Sequence, residues 1–252
     1  MGRRGLALLV AALLAPLAFA GREGAEEALP DLDQVVPSKL RVRERDGRWV
    51  LGFASAVDNV GRRALVVEGR RDGGERSMRV WQLVGARRYP VAGTLRYVVS
   101  AGHAHWHLLD FERYELRRPD GGRVRRDAKT GFCLTDSFDA GPLTLPGEPR
   151  RAQWVHECGR GRPDLLRVRG GVSIGFRDVY DPFLEGQDVD LTRLPAGRYV
   201  LVHRANPVRA LRESDYGNNA ASVLLRVNWP RGFGSRPGVR VVARCPDTPT
   251  CS

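Results

Sequence analysis

The chain has 252 residues, 42% hydrophobic and 28% charged, with a formal net charge of +12. That is too much apolar content for a disordered polyelectrolyte, and no apolar run after the first twenty residues is long enough to span a bilayer. The positive charge favours anionic partners, but no nucleic-acid-binding motif accompanies it. The excess arginine therefore reads as a solvated surface.

Arg3 and Arg4 precede an apolar run from Leu6 to Leu17, and Ala18-Phe19-Ala20 closes it with an A-x-A cleavage signal. This is the pattern of a secretory signal peptide cut after Ala20, so the mature protein is expected outside the cell. Residues 21–30 are small, charged and polar and read as a flexible leader. Residues 31–252 are expected to form one domain, since an all-β chain of this length commonly does.

From Leu40 the sequence reads as strands and turns. Residues 41–44 and 48–57 flank Asp46-Gly47, a hairpin signal. Short β-rich runs follow at 64–68, 78–84 and 93–100, then a longer one at 103–116 that ends at Pro119-Asp120-Gly121-Gly122. Residues 123–127 lead back toward Lys129. The stretch 137–172 is rich in Gly, Pro and Arg and is expected to be a long loop. Strands are predicted again at 198–203 and 222–229, with an irregular tail from Pro230. No long amphipathic helix is evident. The expected fold is mainly β, an antiparallel β-sandwich with long irregular loops.

The cysteines are Cys133, Cys158, Cys245 and Cys251. An even number in an exported chain points to two disulfides, with three possible connectivities. Cys245 and Cys251 are close in sequence, so a local clip is the simplest pairing and leaves Cys133 with Cys158. No C-x-x-C spacing supports thiolate metal binding.

Three of the five histidines alternate in Gly102-His103-Ala104-His105-Trp106-His107. On a strand, alternation at period two puts all three on one face. Imidazoles clustered in this way suit Cu(II) or Zn(II) with open coordination positions. His103 and His107 are roughly 13 Å apart along an extended strand, so their rings must lean inward to share one ion. Of the 41 basic residues only Lys39 and Lys129 are lysines. A lysine placed shortly after such a cluster offers an amine that can lose its proton, as arginine cannot. Asp110, Asp136 and Asp178 are candidate general bases. A partly competing pattern, His105-x-His107 followed by Glu112, matches half of a cupin metal signature. It would need His156 or His203 as a further ligand and leaves His103 without a role.

The ordered series His103-Ala104-His105-Trp106-His107, Lys129-Thr130-Gly131-Phe132-Cys133-Leu134, Asp178-Val179-Tyr180 and Glu213-Ser214-Asp215-Tyr216-Gly217-Asn218-Asn219 resembles lysyl oxidase catalytic domains, bacterial members especially, over roughly residues 29–229. The resemblance implies copper on His103, His105 and His107. It implies a lysine tyrosylquinone formed from Lys129 and Tyr180, and a disulfide at Cys133. The implied activity is oxidation of primary amines, peptidyl lysine among them, by O₂ to aldehyde, hydrogen peroxide and ammonia. Compared with animal members, this chain has fewer cysteines, a Gly/Pro/Arg-rich segment between the two quinone residues, and Arg113 near the place of a further histidine. The alternatives are a secreted copper-binding module that never matures a quinone, and a cupin-like metal enzyme.

Overall fold

A computed structural model describes residues 27–252 apart from residues 101–102, 128, 130 and 142–143 and the side chain of His103. The signal peptide and most of the expected leader lie outside the described residues. Residues 27–30, the end of that leader, lie against the body of the fold. Tyr89 donates to the Glu27 carboxylate, and Leu29 O and Pro30 O accept from Arg62 N and Ser214 N.

The described residues contain seventeen strands and no helix. They are β1 (Leu32–Gln34), β2 (Ser38–Arg45), β3 (Arg48–Asn59), β4 (Leu65–Arg70), β5 (Ser77–Val84), β6 (Arg87–Ser100), β7 (His103–Leu109), β8 (Glu112–Arg117), β9 (Arg123–Arg126), β10 (Gly131–Phe132), β11 (Phe138–Asp139), β12 (Arg167–Val172), β13 (Phe176–Tyr180), β14 (Asp188–Asp190), β15 (Gly197–Ala205), β16 (Ala220–Asn228) and β17 (Gly238–Cys245).

The strands form three sheets. The first is built around the twelve-residue β3: β1 and β13 pair with its C-terminal half, β2 and β14 with its N-terminal half, and β11 with β13. The second runs β10-β7-β6-β5-β4-β12 and the third β17-β16-β15-β8-β9. Every pairing is antiparallel, so the mainly-β fold is as expected. Alternate residues of each sheet enter one common core. Phe53, Met78, Trp106, Leu116, Phe132 and Leu201, from all three sheets, belong to it and are at most 1% exposed. The third sheet is covered on its other face as well, where Val200, Val202 and Leu224 pack with Cys251.

Three expectations about elements change. The run 103–116 is two strands, because Asp110 takes a left-handed backbone (φ 59°) that ends β7 and turns the chain into β8 in another sheet. The segment 137–172 is not wholly loop, since β11 and β12 lie within it. The tail is not irregular, because β17 pairs with β16 from Gly238 to Cys245. Both disulfides have the simplest connectivity, Cys133–Cys158 and Cys245–Cys251.

Candidate active site

The site lies where β7 and β10, at the edge of the second sheet, meet β13 of the first. β7 turns Trp106 and Leu108 into the core, and alternation leaves His105 and His107 on the opposite side. Both histidines are 7% exposed, and their Nε2 atoms are 2.6 Å apart. Gly131 is the β10 residue that covers them. A Cβ there would stand 2.6 Å from the Cβ of His107, so only glycine lets the strand approach so closely. His103 is on β7 two residues before His105.

Lys129 immediately precedes β10 and is 8% exposed. Its Nζ lies 5.1 Å from the ring centre of Phe132 and 4.9 Å from that of Tyr180. The two rings meet edge to face with centres 5.1 Å apart. Burial pushes the Lys129 ammonium below its ordinary pKa, against the opposing pull of Glu112, Asp178 and Asp127. The loop after β13 holds the lysine from the other side, with Gly186 (φ 72°) packed on its backbone.

Tyr180 is 6% exposed and donates to Asp178 Oδ2 at 2.7 Å and to the carbonyl of Cys133 at 3.0 Å. Burial raises the phenol well above its usual range, and the Asp178 charge adds to this. Asp178 is 1% exposed, and burial likewise lifts its carboxyl well above the carboxylate range, although the Tyr180 and Thr135 hydroxyls donate to it. His105, His107, Lys129, Asp178 and Tyr180 line one open cavity of about 270 Å³, together with Cys133, Thr135, Val179 and Leu184. At its rim Arg160 pairs with Glu157 at 2.6 Å.

The three candidate bases separate. Asp110 is 61% exposed, pairs at 3.8 Å with Arg126, and does not line this cavity. Asp136 is buried and used up as an acceptor, taking hydrogen bonds from the backbone of Gln153, Trp154 and Ser173 and from the Ser173 hydroxyl. It fastens the 151–173 segment and is likewise not part of the cavity wall. Asp178 alone of the three is in it. The cupin-like arrangement does not assemble. His156 is exposed, and His203 is fully buried against Phe53 and Tyr114 with its Nδ1 3.1 Å from Ser55 Oγ. Neither lines the cavity with His105 and His107.

Beneath the site runs a buried polar chain that the motifs did not reveal as a unit. Gln34 Nε2 donates to Ser55 Oγ, which donates to Glu112 at 2.5 Å. Burial raises Glu112 to about 7, and Lys129 is the cation that counters this. These residues come from β1, β3 and β8, so no local sequence signal groups them.

The chemistry of the donor set fits a copper-type ion. Two buried imidazole nitrogens converge on one point, and a third histidine is on the same strand. The sequence profile of the lysyl oxidase family matches residues 75–229, more than half of the chain. This chain belongs to the lysyl oxidase family. The zebrafish protein named lysyl oxidase homolog 3B is 29% identical over 178 residues, which is 69% of this chain and 17% of the relative. The human protein named lysyl oxidase homolog 2 is 30% identical over 143 residues, 56% of this chain and 16% of the relative. The matched segment thus spans about a sixth of the length of these family members. β7, β10 and β13, which carry the cavity, all lie inside the family match.

Proposed function

We propose that this protein is an exported copper-dependent amine oxidase that converts primary amines, peptidyl lysine among them, to aldehydes with release of hydrogen peroxide and ammonia. The observation that carries this reading is the approach of the Lys129 amine to the Tyr180 ring, 4.9 Å, in the cavity that also holds His105 and His107. The exported state rests on the signal sequence in residues 1–20, outside the described structure.

His103, His105 and His107 would hold the copper ion. When bound, copper with O₂ supplies the oxidising power, and a lysine tyrosylquinone made from Lys129 and Tyr180 supplies an electron sink for amine oxidation. The chain's own residues do the rest. Burial lowers the Lys129 pKa and so eases loss of its proton beside the ring it must join. The four-carbon stem gives Nζ the freedom to close the remaining gap. Asp178 accepts the Tyr180 hydroxyl hydrogen bond and is the natural sink for that proton. Asp178 is also the candidate base that lines the cavity, where it can take the α-proton of a substrate amine. The Cys133–Cys158 bridge fixes the carbonyl of Cys133 that orients the phenol.

Peptide mass mapping tests the reading. After loading with copper in air, the peptides containing residues 129 and 180 should be found joined, and Lys129→Met should leave them separate. The matured protein should release peroxide with a small alkylamine. Stoichiometric copper binding with neither a joined peptide nor peroxide would instead make the chain a copper-binding module.

A further inference from the structure

The second sheet has one face in the core, and on its other face arginines crowd. Strand register sets Arg167, Arg70 and Arg79 directly opposite one another on β12, β4 and β5, and Arg169, Glu68 and Trp81 in the next row. Arg79 in turn faces Thr94 of β6, and two residues further along, Arg96 faces His107 of β7. Side chains alternate along each strand, so these arginines share the sheet face that carries His105 and His107.

Glu68 organises the patch. Its carboxylate is 1% exposed and takes Arg70 Nε at 2.7 Å and Arg88 Nη2 at 3.3 Å on one oxygen. The other oxygen takes Arg169 Nε at 2.6 Å and Arg167 Nε at 2.7 Å. Burial alone would raise this carboxyl, but the guanidinium hydrogen bonds outweigh it and hold it down at about 2. One charge cannot neutralise four, and these four arginine side chains stay 41–48% exposed. Arg79 and Arg88 also lean on Trp81, their Cζ atoms 6.0 and 5.0 Å from its ring. The carboxylate paired with Arg79, Asp72, is itself 84% exposed. Like charges directly opposite on neighbouring strands cost stability, and a sheet that retains them beside a reactive cavity has a use for them.

We infer that this face binds a carboxylate-rich stretch of the polypeptide whose lysine enters the cavity, so that the lysines oxidised are those with acidic neighbours. The inference rests on the amine-oxidase reading for the lysine and on the sheet for the acidic segment. From β7 to β4 is three strand spacings, about 14 Å, which four or five extended residues cover. Exposed guanidinium edges are matched to carboxylates in two-pronged hydrogen bonds. Acidic neighbours also offset the repulsion that a strongly basic chain exerts on a lysine-rich target.

Two peptides test it, each with a norleucine in place of the lysine, one carrying glutamates four and five residues away and the other glutamines. The copper-loaded protein should bind the glutamate peptide about tenfold more tightly at low salt, with the preference fading as salt rises. The Arg79→Gln/Arg96→Gln double variant, which leaves every bond to Glu68 in place, should lose that preference. With the lysine versions, this variant should raise KM for the glutamate substrate and leave kcat, and the oxidation of a small alkylamine, unchanged. Equal affinity for both peptides, or a preference that survives in the variant, overturns the inference. So does a sulfated oligosaccharide that occupies the face and is not displaced by the glutamate peptide. If the preference is found but no amine is oxidised, the surface stands and the oxidase reading fails.

Discussion

Tyr180 donates a 2.7 Å hydrogen bond to Asp178, two residues earlier on β13, and the two side chains share one wall of the cavity. The spacing follows from the strand period, but the functional content comes from burial, which makes both groups reluctant to ionise. Asp178→Asn keeps the shape and removes the proton acceptor. Amine turnover should fall by about 100-fold or more, with copper content unchanged. Full activity in this variant would move the base elsewhere.

Two glycines let the amine and the histidines be perturbed one at a time. A Cβ at Gly186 would lie 2.8 Å from Cα of Lys129, at a φ of 72° that other residues rarely adopt. Gly186→Ala should displace Lys129 and abolish the joined 129–180 peptide while copper still binds. A Cβ at Gly131 meets His107 instead, so Gly131→Ala should weaken copper binding itself, as read by metal analysis after dialysis.

The Cys133–Cys158 bridge closes a loop with a sequence separation of 25. Loop-closure entropy for that length corresponds to about 3.5 kcal/mol. The Cys133→Ser/Cys158→Ser variant should lose stability of that order in urea unfolding. It should also mature more slowly, since Cys133 O orients the Tyr180 phenol and Cys158 O accepts from Trp106 N.

Glu213 gives the fold a pH dependence away from the cavity. It accepts hydrogen bonds from Leu32 N, Asn206 and Asn219, yet burial outweighs these and raises it from 4.5 to about 7. The folded state then holds a proton that the unfolded chain has released between these values. Its contribution is full below pH 4.5 and is lost as pH rises through 7, by up to about 3 kcal/mol. Carboxyl-carbon NMR should give a midpoint for Glu213 near 7. A midpoint near 4.5 would mean that the hydrogen bonds offset burial.

The sequence by itself determined the local patterns. Alternation made residues 103–107 a strand with His105 and His107 on one side, Asp46-Gly47 marked the β2–β3 hairpin, and cysteine spacing left one simple pairing. The order of motifs pointed to the family. What only the tertiary structure decided was which distant groups meet. Asp110, Asp136 and Asp178 look equivalent in a string of letters. Solvent exposure, a saturated set of donors and a place in the cavity wall, respectively, tell them apart. The left-handed turn at Asp110, the pairing of β17 with β16 and the arginines gathered on Glu68 were hidden for the same reason. Periodicity reports which face a residue takes on its own strand, whereas burial, ionisation and charge crowding depend on the strands that the fold sets beside it.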